Sequence, residues 1–373
     1  MSDTTPETSR IASLDQFRGY TVLGMFLVNF VGSYVAVKSL VPVLCHHHTY
    51  CSYADTIMPQ FFFAVGFAYR LTFLRRLAAS GPGVAYRQAL KRNLGLILVG
   101  LVIHGLDGRF ESWEKLQSVG FSGVWAAAFQ RNFFQTLTHI GVTALWVMPV
   151  IAARPTVRIL FAILSAVLFH ACSEWGYYDW VLKRPGIDGG PLGFLTWTVP
   201  LIVGTLASDA MAANRRWLVV RLLVTAVGLM ALGYGLSCVP YVTSLSDLFS
   251  SGWTQFLIEP PFVRPTRAVN IWTMSQRAGS VTYLIFGAGF SLAIYTLFVL
   301  ACDRLPLRVG IFRTLGTNAL LGYIIHDLVN AAIKPFVPKD SPVWFVFSAC
   351  GVSLLICYTF LRSLEKQRLF LKL

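Results

Sequence analysis

Residues 281–301 read VTYLIFGAGFSLAIYTLFVLA, a run without a charged side chain. An α-helix needs about 20 predominantly apolar residues to cross the roughly 30 Å hydrocarbon core of a bilayer. The run is apolar on every side of a helix, whereas a surface helix of a soluble protein keeps a polar face. This stretch therefore predicts a membrane-spanning helix.

Similar windows recur along the chain and predict an all-α, polytopic integral membrane helix bundle of about ten transmembrane helices. They lie at 19–37, 55–74, 93–107, 134–153, 156–173, 191–210, 216–236, 279–301, 310–332 and 342–361. We interpret 1–373 as a single transmembrane domain with a cytoplasmic N-terminal segment, 1–18, and a cytoplasmic tail, 362–373.

The overall composition excludes a soluble protein. Hydrophobic residues make up 55% of the chain and charged residues 13%, with a mean hydropathy of +0.61, whereas soluble domains carry about 25% charged residues. The net charge is +14, and most basic residues fall in alternate connections. The positive-inside rule places those connections and both termini in the cytoplasm. No basic run alternates with aromatic residues, so nucleic acid is not an expected partner.

The other connections, 108–133, 174–190 and 237–278, are long and rich in aromatic residues. Connections usually contain about 4–6 residues, so longer ones often have a function. They predict either an aromatic belt at the membrane interface or an extracytoplasmic vestibule for a substrate.

The first polar cluster is RIASLDQFRG at 10–19. Ser13 is a candidate helix cap, and Asp15 and Arg18 are spaced to form an ion pair on one helix face. These contacts could be purely structural. The functional alternative is that Arg10 or Arg18 binds the phosphates of a cytosolic ligand.

Two further features are candidates for chemistry. Asn29 places an amide inside the first predicted span, where it needs hydrogen-bond partners. The loop CHHHTYCSYADTIMP at 45–59 combines three histidines with Ser52-x-x-Asp55, the pattern of a capping box. A histidine can accept a proton near neutral pH, and a nearby carboxylate can fix its tautomer. His326 is the most suggestive of the remaining polar residues within spans, although it could be a packing residue.

Two structural alternatives concern the cysteines of this loop. Cys45, Cys51 and a histidine could bind a metal, but their spacing matches no standard zinc pattern. The two cysteines could instead form a disulfide on an oxidising face. We expect no metal cofactor.

These residues together resemble the heparan-α-glucosaminide N-acetyltransferase family of transmembrane acyltransferases. The similarity includes Arg-x-x-Ser-Leu-Asp-x-Phe-Arg-Gly at 10–19, Val28-Asn29, and Ala-Asp-x-x-x-Pro-x-Phe-x-Phe-x-x-Gly at 54–66. Later segments at 135–143, 188–193 and 316–320 are similar too.

The resemblance implies a bundle of ten or eleven helices, acetyl-CoA as a cytosolic co-substrate, and an amino-sugar acceptor on the opposite side. It places the catalytic histidine among His46, His47 and His48. We prefer His47, because Tyr50 then occupies the position of the family's aromatic residue. Asp55 would orient this base, and Asn29 would position the thioester carbonyl or stabilise the oxyanion. Arg10, Asp15 and Arg18 are the candidates for donor binding.

The sequence therefore predicts a transmembrane N- or O-acyltransferase, most simply in a bacterial cytoplasmic membrane. Its partners would be acyl-CoA, an extracytoplasmic glycan or amino sugar and the lipid bilayer, with a second copy of the chain as a further candidate. A proton-coupled transporter with a His/Asp relay is the main alternative, because ionisable residues within spans also serve transport. A non-catalytic membrane subunit is a third.

Overall fold

The structure is a computed structural model that describes residues 11–47, 49–106, 110–128, 133–183, 188–214, 216–242 and 256–371. These residues form helices and connections without a strand, which confirms the all-helical fold over the described ranges. The α-helices are α1 (Ala12–Val31), α2 (Val35–Leu40), α3 (Tyr53–His104), α4 (Trp113–Ala128), α5 (Thr136–Val147), α6 (Pro155–Cys172), α7 (Tyr178–Lys183), α8 (Phe194–Ala213), α9 (Leu218–Cys238), α10 (Val281–Phe298), α11 (Gly310–Thr317), α12 (Ala319–Ile333) and α13 (Val343–Lys366).

The 52 residues of α3 form two antiparallel arms rather than one rod. Gly81 interrupts the helix with φ +76° and ψ 173°, a conformation open to glycine but strained for other residues. The rings of Phe73 and Tyr86 lie 4.9 Å apart, whereas thirteen residues of continuous helix would separate them by about 20 Å. The chain therefore reverses at Gly81, and the predicted windows 55–74 and 93–107 lie on opposite arms. The connection between these windows is helical on both sides of Gly81.

Within the described ranges, six helical segments are long and apolar enough to cross a membrane: Tyr53–His104, Pro155–Lys183, Gly190–Ala213, Leu218–Tyr241, Val281–Arg304 and Val343–Lys366. The protein bears a large apolar surface on three of them. Only 33% of the apolar window is buried in Pro155–Lys183, 28% in Leu218–Tyr241 and 22% in Val343–Lys366. In Gly190–Ala213 the buried share is 78%. An apolar surface of this extent needs a lipid environment. The count of ten spans and the orientation of the termini stay predictions.

The described residues divide into two compact units. The first contains residues within Met1–Cys45 and Ala293–Lys372, and the second lies within His46–Leu292. The single-domain organisation stays an expectation from the sequence.

In the first unit, α1 begins earlier than expected. Ile11 is its N-cap, so the prediction that Ser13 caps the helix is wrong. Ser13 lies inside the first turn, and its hydroxyl is 3.4 Å from that of Tyr295. Phe17, one turn further, is fully buried and packs edge-on against Tyr295.

In the second unit, α8 packs against the first arm of α3 backbone to backbone. A Cβ atom built on Gly66 would lie 1.9 Å from the Leu201 carbonyl oxygen, and one on Gly204 would lie 2.1 Å from that of Phe63. Only glycine permits this approach, a common device where membrane helices cross. The two helices are therefore held in one register.

A partly buried ionic cluster stabilises another part of the second unit. Asp209 on α8 accepts hydrogen bonds from Arg70 on α3, at 2.9 Å from its Nε, and from Arg158 on α6. Arg158 is fully buried and also donates to the Thr205 hydroxyl. The pairing compensates the cost of burying these charges, so Asp209 has a structural role here.

Candidate active site

The site is built at the start of α3, where Ser52 caps the helix. The Ser52 hydroxyl accepts from the Asp55 backbone N–H, and Asp55 in turn binds the Ser52 backbone N–H. This is the capping box that the sequence predicts. Asp55 is fully buried, so its carboxylate is held by the helix terminus and not by solvent.

The Asp55 carboxylate also binds a histidine. Its Oδ2 accepts from the Ser52 N–H at 2.8 Å and from the Ser52 hydroxyl at 2.9 Å. Its Oδ1 lies 2.9 Å from Nδ1 of His46. One carboxylate therefore caps the helix with one oxygen and holds an imidazole with the other.

A third side chain meets the same histidine nitrogen. The Gln276 Oε1 lies 3.1 Å from Nδ1 of His46, and its Nε2 donates to Asp188 Oδ1 at 2.8 Å. Because a carboxylate only accepts, the Gln276 NH₂ faces Asp188 and its oxygen faces His46.

These contacts determine the tautomer of His46. Both partners of Nδ1, Asp55 and Gln276, present oxygen acceptors, so Nδ1 carries the proton. In the neutral ring Nε2 then holds the lone pair, and no described residue gives Nε2 a hydrogen-bond partner. The side chain is 39% exposed. His46 is thus arranged as a proton acceptor with its basic nitrogen directed away from Asp55.

The surrounding charges favour the protonated imidazole. Burial lowers the pKa of His46, but the hydrogen bond to Asp55 and the charges of Asp55 and Asp188 raise it. The net effect is a pKa above the usual 6.5. A raised pKa suits a base that must accept a proton near neutral pH.

The other two histidines of the loop differ from His46. His47 stacks on Tyr50 with the ring centroids 4.2 Å apart, and its backbone N–H lies 3.5 Å from Asp55 Oδ2. Our preference for His47 as the partner of Asp55 thus differs from the observed contact, because the Tyr50 stack directs the His47 ring elsewhere. His48 lies outside the described residues.

Asn29 belongs to the first unit and finds its partner there. Its Nδ2 lies 3.2 Å from Nε2 of His326, whose Nδ1 donates to the Tyr323 carbonyl at 2.5 Å. The same Nε2 also lies 3.3 Å from Oδ1 of Asp327. Lys334 donates to the Asn29 backbone carbonyl at 2.8 Å. The half-buried amide has the polar partners that the sequence required, and His326 is one of them.

The donor-binding candidates are placed only in part. Arg10 lies outside the described residues. Arg18 forms the expected ion pair with Asp15, with 3.7 Å between the charged atoms, and both side chains are partly exposed. This pair is confirmed as a contact, and phosphate binding stays a prediction.

Two residues of the site were not predicted from the sequence. Asp188 belongs to a segment that resembles the family, yet no role was given to it. Gln276 lies in a long connection without any motif around it, 230 residues after the histidine that it contacts. The candidate site thus draws on two of the three long connections.

The cysteine alternatives receive no support from the described residues. Cys51 is a buried free thiol, so the disulfide with Cys45 is not formed. No group of three or more His, Cys, Asp or Glu side chains within the described ranges is arranged to hold a metal ion.

Comparison with known proteins supports the resemblance seen in the sequence. Residues 10–182 match the family model described as heparan-alpha-glucosaminide N-acetyltransferase, catalytic. A search of curated proteins gives no match. The matched range includes Asn29, His46 and Asp55, and it ends before Asp188 and Gln276. Residues 10–182 therefore carry the catalytic-domain pattern of the heparan-α-glucosaminide N-acetyltransferase family, a family of acyltransferases.

Proposed function

We propose that this protein is an integral membrane acyltransferase that moves an acetyl or other acyl group from cytosolic acyl-CoA to an extracytoplasmic glycan or amino sugar. The observation that carries the proposal is the His46–Asp55 pair, which lies within the family match and holds a histidine as a proton acceptor. The basic connections, including the turn at Gly81, would face the cytoplasm.

In this mechanism His46 is the general base. An amine or hydroxyl of the acceptor attacks the thioester carbonyl carbon while His46 Nε2 takes its proton. The tetrahedral intermediate then collapses, the carbon–sulfur bond breaks, and the imidazolium returns the proton to the departing CoA thiolate. Asp55 stabilises the imidazolium between these steps, as a carboxylate does in a catalytic triad. We favour this direct transfer over an acyl-histidine intermediate.

Asn29 remains the candidate for positioning the thioester carbonyl or the oxyanion. An amide nitrogen carries two hydrogens, and the bond to His326 uses one of them. The second hydrogen provides a donor of the kind that stabilises a developing negative charge on oxygen.

The experiment that tests the proposal measures label transfer. Purified protein in proteoliposomes receives acetyl-CoA labelled in the acetyl group on its cytoplasmic side and a panel of amino sugars on the other. Covalent label on a sugar supports the transferase. Sugar movement that depends on a proton gradient, without covalent label, would identify the alternative, a proton-coupled transporter.

Donor binding provides a separate prediction for Arg18. If its guanidinium contacts phosphate, Arg18→Ala weakens acyl-CoA binding by roughly 1.5–3 kcal/mol, the contribution of a hydrogen bond to a charged group. Titration calorimetry in detergent measures the change. Asp15→Ala is the matched control, because it breaks the same ion pair and leaves Arg18 in place. Equal affinities in both variants and in the wild type would assign Arg18 a structural role.

The pH dependence of the reaction follows from the His46 environment. The base is active only when deprotonated, and its pKa is raised above 6.5. We therefore expect kcat/KM to rise with pH through an acidic limb whose midpoint lies above pH 6.5, since this limb reports the free enzyme. A limb centred well below that value would contradict His46 as the base.

A further inference from the structure

We propose that Gln276, aligned by Asp188, is a positioning residue that holds the His46 ring in its productive orientation. The inference rests on the acyl transfer proposed above and assigns a role to two residues beyond the family match. Neither residue would touch the reacting atoms. Both would act through His46.

The geometry of Nδ1 is the first argument. A single hydrogen bond to Asp55 leaves the imidazole able to swing about that contact. A second acceptor, the Gln276 oxygen at 3.1 Å, shares the same proton and limits this motion. Productive reaction requires the base to be held to within a fraction of an ångström, so a second restraint has catalytic value.

The direction of the Gln276 amide is the second argument. Asp188 is almost completely buried and accepts from the Gln276 NH₂. If the amide were reversed, its oxygen would face the Asp188 carboxylate, so two acceptors would meet. Its NH₂ would face the Nδ1–H of His46, so two donors would meet. The buried carboxylate therefore selects the orientation in which Gln276 supports the Nδ1–H tautomer.

The two loops that carry these residues are fixed against each other. The Gly189 N–H donates to the Arg277 carbonyl at 3.2 Å, and a Cβ atom on Gly279 would lie 2.7 Å from the Gly189 Cα. Trp197 on α8 donates its indole N–H to the Asp188 carbonyl at 2.8 Å. Contacts of this closeness keep Gln276 and Asp188 in place relative to α8.

The described groups facing His46 are Asp55 on α3, Asp188 before α8 and Gln276 before α10. Two of the three are carboxylates, and each favours the imidazolium. The amide differs from them because it restrains the ring without adding charge. Replacing Gln276 and replacing Asp188 should therefore have different kinetic consequences.

The test compares Gln276→Met with Asp188→Asn in the full-length protein. Methionine removes the acceptor at similar side-chain length, and kcat should fall roughly 10- to 100-fold at every pH, the range seen when a residue that orients a functional histidine is lost. Asparagine keeps an oxygen for Gln276 but removes the charge. Because an amide can also present its NH₂ and no longer imposes one direction on Gln276, the plateau kcat should fall, but by less than in Gln276→Met. The acidic limb should move down by roughly half a pH unit, less than for a carboxylate in direct contact.

Glu259→Gln serves as the control, because it removes a carboxylate from the same long connection, where Glu259 binds Thr266 instead of His46. Glu259→Gln should change neither kcat nor the pH at the midpoint of the acidic limb. Histidine ¹⁵N NMR, assigned with His46→Ala, measures the His46 pKa without any turnover. Both test variants should lower that pKa and leave thermal stability close to wild type.

The outcomes separate the two proposals. If both variants lower the His46 pKa but the wild-type protein transfers no acyl group, the positioning role is supported and the proposed function is refuted. Active enzyme in which Gln276→Met keeps the wild-type kcat and His46 pKa would overturn the positioning role. Loss of folding in both variants, with an unchanged pKa in the folded fraction, would assign the two residues a structural role.

Discussion

His46→Ala lowers turnover by roughly 10²–10⁴-fold, the scale expected when a general base is removed. The affinity for acyl-CoA changes little, because the imidazole acts on the acceptor and not on the nucleotide. Single-turnover transfer of labelled acetyl groups measures the rate, and thermal stabilisation by acyl-CoA measures binding. The two readouts distinguish a lost base from a misfolded site.

His47→Ala is the matched control, since it removes a neighbouring imidazole that stacks on Tyr50. We expect a decrease in rate of less than about tenfold, because its contact with Asp55 uses the backbone N–H, which alanine retains. A larger loss at His47 than at His46 would return the catalytic role to the residue that the family alignment favoured. Wild-type rates in both variants would remove this loop from the chemistry.

Asp55→Asn should lower turnover almost as much as His46→Ala, because it changes which nitrogen of His46 carries the proton. The Ser52 N–H and hydroxyl both donate to Asp55 Oδ2, so an asparagine places its oxygen there. Its NH₂ then faces Nδ1 of His46 and disfavours a proton there, although the Gln276 oxygen still presents an acceptor to the same nitrogen. The proton moves to Nε2, and the base loses its lone pair on the reactive side.

The expected decrease in kcat is roughly 10³-fold or more, as in serine proteases whose orienting aspartate is replaced by asparagine. The helix cap survives because the oxygen toward Ser52 is kept, so the unfolding temperature should shift little. Histidine ¹⁵N NMR should show Nε2 protonated in the neutral ring. An unchanged tautomer together with a wild-type rate would contradict the assignment of Asp55 as the orienting carboxylate.

Local sequence signals predicted the features that depend on neighbouring residues. The capping box of Ser52 and Asp55, the pairing of Asp15 with Arg18 and the hydrogen-bonded amide of Asn29 all follow from spacing within one helix or one apolar run. Such features are set by periodicity and short-range hydrogen bonding. They were therefore accessible before the fold was known.

The remaining features depend on contacts between distant segments. Three consecutive histidines are equivalent in composition, and backbone turns and the Tyr50 stack decide which ring meets Asp55. Gln276 reaches His46 from a separate connection, where no local pattern marks it. The reversal at Gly81 likewise joins two predicted spans through continuous helix on both sides of one glycine.

The glycine contacts between α3 and α8 have a mechanical consequence for the site. Asp55 stands at the end of one helix, and Asp188 lies just before the other, while their backbones touch farther along at Gly66 and Gly204. This contact sets the distance between the two helices, and therefore the distance between the two carboxylates at their N-terminal ends. A methyl group added at Gly66 or Gly204 would push the helices apart and move Asp55 away from Asp188. The glycine contacts between α3 and α8 thus fix the spacing of the two carboxylates around His46, although neither glycine takes part in the chemistry.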